Sequence, residues 1–233
     1  MEYLVQQRDV VAPGDPIARY VKKDFEVPSP YLYIENETLY AAVAGVVEIR
    51  GDKIWFTPLQ LYYIPRPGDL VIGLVKDVGT SYWSVDINGP YEAQLPLSET
   101  LFRQAHVDSL RKYIDVGEYL LARVIAFDRN RVPLLTLKGK ELGKIVEGKV
   151  VEVSMVTTIR LLSRRTLLNV LSEETQTKLV LGNNARAWVK GPDSKSEDIA
   201  VLTLKMLDAR SMQPPKPQEL ASYIRAQKEG ILA

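Results

Sequence analysis

The 233-residue sequence contains no cysteine, and histidine occurs once, as His106. The absence of cysteine excludes disulfide bonds, cysteine nucleophiles, zinc ribbons and fingers, and ordinary iron–sulfur clusters. A single imidazole excludes structural zinc sites and histidine-rich catalytic ones, so any metal would need an all-oxygen Mg²⁺ or Ca²⁺ site. We therefore predict no metal and no cofactor, and a reducing compartment.

The sequence also lacks long apolar runs. Its N-terminus, MEYLVQQRDVVAPGD, has acids and amides where a signal peptide needs an unbroken apolar stretch. No run approaches the roughly 18 apolar residues of a membrane span. With 46% hydrophobic and 25% charged residues, the composition is that of a globular chain with a core. We predict a cytoplasmic protein that does not contact the membrane.

The sequence has almost no excess of either sign of charge, since 30 Lys and Arg residues oppose 29 Asp and Glu residues and the formal net charge is +1. The charge is nevertheless graded along the chain: residues 1–64 sum to −3, residues 65–142 to 0, and residues 143–233 to +4. An anionic partner would therefore favour the C-terminal third. The excess is modest, so any clustering of positive charge must be argued from motifs.

The first segment, residues 1–64, predicts a β domain. Two β-rich runs, TLYAAVAGVVEI and IWFTPLQLYYI, flank the turn signal at residues 50–53, which is the pattern of a hairpin. The Arg-Gly-Asp triplet in this turn could suggest an adhesion motif. A hairpin turn requires the same residue types, and we interpret the triplet as a turn.

The second segment, residues 65–142, opens with two prolines before five short β-rich runs: DLVIGLVKDV, YWSVDI, YEAQLPL, YLLARVIAF and VPLLTLK. A polar, partly helical stretch, SETLFRQAHVDSLRKYIDVGE, separates the third run from the fourth. This order predicts a five-stranded OB-type barrel with one long connection.

The third segment, residues 143–233, changes its hydrophobic period. The stretch from Arg164 to Glu174 predicts a helix, and KLVLGNN and ARAWVKG predict two strands. Ser194 and Glu197 form a capping-box pattern before a second helix, and prolines near residue 215 separate it from a terminal helix. The segment predicts a small α+β domain.

These residues resemble a known family. The middle segment, with PGDLVIGLV, YWSVDINGPYEAQLPLSE and RVPLLTLKGKELG, is similar to an S1 domain, the OB-fold RNA-binding module. The third segment looks like a KH domain. The whole chain resembles the S1/KH type of RNA-binding cap subunit of the archaeal exosome. The expected fold is a multidomain β-rich and α+β protein: an N-terminal β domain (1–64), an S1-type five-stranded barrel (65–142) and a KH-type α+β domain (143–233).

The resemblance implies a non-catalytic role. Such subunits form a three-membered cap on a hexameric phosphorolytic ring of RNase PH-like subunits. In that arrangement the N-terminal domain docks on the ring, while the S1 and KH domains capture single-stranded RNA that is threaded into the ring. The family's other cap subunit ends in a zinc ribbon, which a chain without cysteine cannot build. A free-standing S1/KH regulator or RNA chaperone is the alternative.

The sequence departs from the resemblance in both RNA-binding modules. Ser81, Ser84 and Pro96 occupy the positions where many S1 domains present aromatic residues and a histidine. The G-x-x-G loop of RNA-binding KH domains is replaced by residues 162–165, Leu-Ser-Arg-Arg. Without glycine the loop backbone cannot approach phosphates as closely. Residues 182–185, Gly-Asn-Asn-Ala, match the cap family's G-x-N-G element except at the last position, and we interpret Gly182, Asn183 and Asn184 as a structural turn.

The predicted RNA contacts are aromatic residues for stacking and cations for phosphates. Tyr82 and Trp83 are adjacent on a strand, so one should face the RNA and the other the barrel, and the sequence does not decide which. Exposed cations often serve only solubility, and these assignments remain hypotheses. The predicted cations are Arg103, Arg111 and Lys112 in the long barrel connection, Arg129 and Arg131 in the fourth turn, and Arg164 and Arg165 in the KH loop.

A P-loop-like spacing at residues 143–149, GKIVEGK, suggests nucleotide hydrolysis as a third hypothesis. Val150 stands where a P-loop needs a Ser or Thr hydroxyl for Mg²⁺, and a β-branched run follows instead of a helix. We interpret the segment as a linker and predict no catalytic residue in this chain.

Overall fold

A computed structural model describes residues 1–22, 25–51, 53–59, 61–101, 110–163, 165–209 and 215–232. The chain forms two compact units, residues 1–61 and residues 62–233. The three domain ranges drawn from the sequence remain a prediction.

The first unit is a β domain with two antiparallel sheets. Strands β1, β3, β5 and β4 form one sheet in that order, and β2, β6 and β7 form the other. Ile17, Leu39 and Val47, from the two sheets, are fully buried in one shared core. The strands are β1 (Glu2–Tyr3), β2 (Val10–Val11), β3 (Pro16–Arg19), β4 (Leu32–Glu35), β5 (Thr38–Ala41), β6 (Gly45–Arg50) and β7 (Lys53–Pro58).

The predicted hairpin is present, because β6 pairs with β7 from Gly45 opposite Pro58 to Arg50 opposite Lys53. The run TLYAAVAGVVEI, however, is not one strand. It divides into β5 and β6, which belong to different sheets. The chain crosses from one sheet to the other so that the two sheets can share a core. Gly45, the first residue of β6, packs against the Phe56 ring, and a Cβ at this position would lie 2.2 Å from that ring.

The second unit begins with the predicted five-stranded barrel. The barrel closes because β12 pairs with β11 in antiparallel and with β10 in parallel, Gln94 lying opposite Leu134. A short strand that we did not predict, β13, adds to the edge of β11. The strands are β8 (Leu70–Val78), β9 (Tyr82–Asp86), β10 (Ala93–Pro96), β11 (Tyr119–Phe127), β12 (Pro133–Thr136) and β13 (Gly143–Ile145).

Alternation along these strands fills the barrel with apolar side chains. Val75, Val85, Leu95 and Leu120 are fully buried. In the long connection, a 3₁₀ turn covers Leu97–Glu99 and helix α1 covers Leu110–Tyr113. Residues 102–109 of this stretch, including His106, lie outside the described residues.

The C-terminal part of the second unit is an α+β domain. Its antiparallel sheet has the order β14, β16, β15, and apolar side chains of the four helices pack with the sheet in one core. The elements are β14 (Lys149–Glu152), α2 (Met155–Ser163), α3 (Arg165–Thr175), β15 (Lys178–Leu181), β16 (Arg186–Lys190), α4 (Ser194–Ala209) and α5 (Pro217–Leu232).

Helix α2 was missed because it begins with the β-branched residues Val156, Thr157 and Thr158, which have low helix propensity. Tertiary contacts outweigh that propensity. The Ser154 hydroxyl accepts the Thr157 N–H (3.2 Å) and donates to Asp208 (2.6 Å), which also accepts the Ser154 N–H (3.0 Å). A cap supported from another helix thus stabilises the first turn of α2.

The start of α4 also needs a correction. The residue that caps it is Asp193, whose carboxylate accepts the Ser196 N–H at 2.7 Å, and Ser194 is the first helical residue. This hydrogen bond lowers the pKa of Asp193. Glu197 instead accepts the N–H of Gly191 at 3.2 Å, so the predicted capping box is displaced by one residue.

The turn between β15 and β16 joins the α+β domain to the barrel. Strand β9 ends at Asp86, opposite Leu74, so the N-terminal half of β8 lacks a partner on that side. Asn184, fully buried, replaces the partner: its Oδ1 accepts the Ile72 N–H (3.1 Å), and its Nδ2 donates to the carbonyls of Ile72 (2.8 Å) and Ile87 (3.0 Å). The side-chain amide acts as a peptide group that continues the ladder.

Arg186 adds a charged contact at the same place. Its side chain is 4% exposed and lies between Asp86 (Nη2 to Oδ2, 2.8 Å) and Glu152 (Nε to Oε1, 2.9 Å). Partial burial alone would raise the pKa of Asp86, but hydrogen bonds from Arg186 and the Asn88 N–H outweigh it and lower the pKa. The pair therefore stabilises the contact above the ordinary aspartate pKa of about 4, and this stabilisation is lost as the pH falls through the lowered value.

Two small residues allow the turn to fit against β8. A Cβ on Gly182 would lie 2.5 Å from Oδ1 of Asn184 and 3.2 Å from the N atom of Ile72. Ala185 has φ of 60°, a conformation that glycine adopts more easily. The predicted turn is thus also a contact between domains.

Replacement of Asn184 with alanine should lower the free energy of unfolding by about 3 kcal/mol, because it leaves buried groups of Ile72 and Ile87 without this partner. Urea unfolding of the full chain measures the change. Asn183→Ala is the matched control: it removes only the acceptor of the Leu70 N–H, while the Asn183 N–H still donates to the Leu70 carbonyl. Equal, small losses for both variants would contradict this account.

Candidate nucleic-acid interface

Tyr82 lies on the outer face of the barrel, at the start of β9 and opposite Pro96 of β10. Its side chain is 37% exposed. The tight β8–β9 turn supports the ring, because the Gly79 N–H donates to the Tyr82 carbonyl (2.9 Å) and a Cβ on Gly79 would lie 3.1 Å from the ring. A ring held in this way can stack on a base without losing much conformational freedom.

Trp83 must be removed from the predicted RNA contacts. It is fully buried in the barrel, and its Nε1 donates to the Ile114 carbonyl at 2.9 Å. The two-residue period of a strand turns it away from the face that Tyr82 occupies. Of the adjacent aromatic pair, only Tyr82 presents its ring to solvent.

The rest of the β9–β10 face is not basic. The Ser84 hydroxyl donates to the Glu92 carboxylate, and Asp86 is paired with Arg186. A carboxylate beside Ser84 repels phosphate. The face where many S1 domains carry aromatic residues therefore offers little to RNA beyond Tyr82.

Arg111 and Lys112 lie at the same end of the barrel as Tyr82, since both belong to the short helix α1 that leads into Ile114 beneath Trp83. Arg111 is 3.6 Å from Asp115, in a solvent-exposed pair that contributes little. Lys112 is exposed and has no ion pair among the described residues. Arg103, the third predicted cation of this connection, lies outside the described residues.

Arg129 and Arg131 lie in the turn between β11 and β12, and both are exposed. Asp128 shapes the turn: its carboxylate accepts the N–H groups of Asn130 and Val132, each at 2.8 Å. In the part of the chain that the structure describes, neither arginine has an ion-pair partner. Both guanidinium groups are therefore available to phosphates.

The strand register separates this turn from Tyr82. Tyr82 lies opposite Pro96, where β10 ends, whereas Leu134 near the start of β12 lies opposite Gln94, in the first half of β10. Because β10 and β12 are parallel, the β11–β12 turn lies at the opposite end of the barrel. The predicted barrel residues therefore form two groups and not one patch.

In the α+β domain, Arg165 is exposed and is the first residue of α3. Among the described residues it has no ion pair. Arg164, between α2 and α3, lies outside the described residues. Leu162 and Ser163 end α2 and Arg165 begins α3, so three of the four residues of the predicted KH loop are helical. Arg165 offers one exposed cation at this place.

The P-loop-like segment has no phosphate-binding geometry. It runs from strand β13 into strand β14, so no helix N-terminus follows it. Its two lysines are paired, Lys144 with Glu118 at 2.6 Å and Lys149 with Asp198 at 2.7 Å. The structure thus agrees with the interpretation of this segment as a linker.

One exposed aromatic residue was not among the RNA contacts predicted from the sequence. Phe127, the last residue of β11, is 39% exposed beside Arg129. Alternation along YLLARVIAF could not have placed this ring, because a β-bulge between Val124 and Ala126 shifts the alternation before Phe127.

The described residues contain neither a metal-holding cluster nor a membrane-spanning helix. They contain no group of three or more His, Cys, Asp or Glu side chains placed to hold a metal ion. None of their helices has the length and apolar character needed to cross a bilayer.

Two protein-family profiles match the chain. "RRP4, S1 domain" matches residues 62–126, which span four of the five barrel strands, and "Exosome RNA binding protein RRP4 N-terminal domain" matches residues 8–60. A solved structure assigned to an exosome complex RNA-binding protein is 37% identical, with a TM-score of 0.68 over 72% of this chain and 98% of that one.

Curated relatives match along nearly the whole chain. "Exosome complex component Rrp4" of Thermosphaera aggregans is 32% identical over 99% of this chain and 96% of the relative. The protein of the same name from Aeropyrum pernix is 35% identical over 94% of each chain, and that from Saccharolobus solfataricus is 34% identical over 89% and 84%. The chain belongs to the Rrp4 family of exosome complex components.

Proposed function

We propose that this protein is an RNA-binding cap subunit of an exosome, which captures single-stranded RNA and passes it to a degrading ring. The observation that carries the proposal is the S1 barrel that bears the exposed Tyr82 and the unpaired Arg129 and Arg131 in a chain of the Rrp4 family. The barrel supplies stacking and phosphate contacts, the two components of sequence-tolerant binding to single strands.

The proposed partners are hexameric RNase PH-like ring subunits, on which three copies of the chain form a cap. The proposal assigns docking to the N-terminal β domain, which carries the formal charge of −3 and is a compact unit of its own. The proposed location is the cytoplasm.

In this proposal the chain performs no catalysis, and phosphorolysis belongs to the ring. The described residues include no cluster of three acids or histidines that could position a metal. Carboxylates such as Asp86 and Glu152 are engaged with Arg186, in a contact between domains. The chain's contribution is therefore to bind and guide the substrate.

The C-terminal domain is proposed to be a KH-type module that binds RNA through its backbone charge. Arg165, the first residue of α3, stands where a KH loop has its second glycine. A loop without glycine cannot bring its N–H groups close to phosphates, but an arginine can still form charge-assisted hydrogen bonds to them. Readout of individual bases should therefore be weak.

Deletion of residues 1–61 should abolish docking on the ring, because it removes the first unit and leaves the second intact. The deletion must stop there, since Tyr63 is buried in the barrel core and donates to Asp69 at 2.9 Å. Gel filtration with purified ring subunits measures co-migration. Full co-migration of the deleted chain would contradict the assignment of docking, and failure of the intact chain to bind the ring would favour a free-standing regulator.

The purified chain should not shorten RNA, with or without phosphate, because it contributes binding and not phosphorolysis. Addition of ring subunits and phosphate should produce shortening that depends on both. The measurement is gel analysis of an end-labelled single strand. RNA shortening by the chain alone that survives repeated purification would refute the non-catalytic role.

RNA affinity should depend strongly on salt and little on sequence. Four or five phosphate contacts on a single strand predict a log–log salt slope of about −3. The double change Arg129→Ala and Arg131→Ala should make the slope shallower by about 1.4 and weaken unrelated RNA sequences equally. Fluorescence anisotropy across a salt series measures both effects.

The matched control for this charge loss is the pair Arg19→Ala and Lys53→Ala, which removes from the other unit two exposed cations that also have no ion pair among the described residues. The control should leave the slope unchanged. A salt-insensitive affinity, or a loss confined to one RNA sequence, would mean that base contacts dominate.

A further inference from the structure

Phe127 is exposed although nothing in the barrel requires it to be. It ends β11 opposite the buried Pro133, after a β-bulge between Val124 and Ala126 that interrupts the alternation of the strand. Its exposed fraction, 39%, nearly equals the 40% of Ile125. A ring at the end of a strand, next to a turn, presents a flat apolar surface to solvent.

The adjoining turn is positively charged on its accessible side. Arg129 and Arg131 follow Phe127 within four residues and have no ion pair among the described residues. The one acid of the turn, Asp128, accepts two backbone N–H groups, so it is held within the turn. An aromatic ring and two unpaired guanidinium groups within five consecutive residues have the composition of a nucleic-acid contact more than of a protein interface.

The backbone of the turn allows the role of one arginine to be tested separately. Arg131 has φ of 62°, a left-handed conformation that is strained for a residue with a side chain. Glycine would adopt it more easily, although eight other described residues that are not glycine share the conformation. Replacement of Arg131 with glycine therefore removes the guanidinium group without adding backbone strain.

We propose that Phe127, Arg129 and Arg131 form one site that holds a nucleotide of single-stranded RNA, with the base stacked on the Phe127 ring and the flanking phosphates bound by the two arginines. The inference rests on the proposed RNA-binding function and deepens it. It places a stacking contact at the end of the barrel opposite Tyr82. Because every base has a flat π face, the site should accept any sequence.

The first test separates the base from the backbone. Anisotropy of the full chain is measured with an RNA oligomer and with a matched oligomer that has abasic sugars, at one salt concentration. Phe127→Ala should weaken binding of the normal oligomer about fivefold or more and leave binding of the abasic oligomer unchanged. Ile125→Ala, the matched control with a similar exposed fraction on the same strand, should change neither. Equal effects of the two variants, or an equal loss on both oligomers, would overturn the stacking contact.

The second test uses the strained arginine. Arg131→Gly should leave the unfolding temperature unchanged or raise it, because it relieves the left-handed conformation. The same variant should bind RNA more weakly and make the salt slope shallower by about 0.7. A lower unfolding temperature with unchanged RNA affinity would show that the arginine serves the fold, and would overturn its role in the site.

The outcomes distinguish the site from the function. If the unaltered chain binds RNA and Phe127→Ala does not weaken it, the site is wrong and the proposed function stands. If the unaltered chain binds no RNA in the presence or absence of the ring, the proposed function fails. If Phe127→Ala reduces co-migration with the ring but not RNA affinity, the ring covers the surface and the site is overturned.

Discussion

The contact of Asn184 and Arg186 with the barrel fixes how the second unit is built. Strand β9 is too short to cover β8, and a buried amide and a buried guanidinium satisfy the groups it leaves unpaired. A buried polar group without a partner costs about 1–3 kcal/mol of stability. Separation of the turn from the barrel would incur this cost at each hydrogen bond that it breaks. The contact therefore holds the β15–β16 turn of the α+β domain against strand β8 of the barrel.

Ion pairs decide which positive charge is available. Arg186, Lys144 and Lys149 are engaged in ion pairs that hold elements together, and they cannot serve phosphates without breaking those pairs. Among the predicted RNA contacts of the barrel, Lys112 in α1 and Arg129 and Arg131 in the β11–β12 turn have no ion pair with the described residues. Net charge, close to zero over the barrel segment, conceals this division. Cations that are held in ion pairs and cations that are free to bind phosphates therefore have to be counted separately.

The five barrel strands could be predicted from sequence because each has a two-residue alternation bounded by turn signals. The same alternation showed that Tyr82 and Trp83 face opposite sides, but not which faces inward, since that depends on the Ile114 carbonyl 31 residues away. Helix α2 was missed because its cap uses Asp208, 54 residues from Ser154. The role of Asn184 was missed for the same reason: its partners are about a hundred residues distant. The local sequence pattern predicts strands and helices. The position and role of an individual side chain depend on hydrogen bonds to residues that are distant in the sequence.

The departures from the usual RNA-binding motifs are consistent with one requirement. A subunit that guides a strand must let it move, and a deep contact with one base would hold the strand at one register. Stacking contributes about 1–3 kcal/mol per base whatever the sequence, and phosphate contacts repeat at every nucleotide. In the proposed binding mode, Tyr82 at one end of the barrel and the β11–β12 turn at the other would supply contacts of this kind. Each contact would release a nucleotide while the other still holds the strand. Affinity would then be shared between the two ends, and no single contact would set a large barrier to movement of the strand.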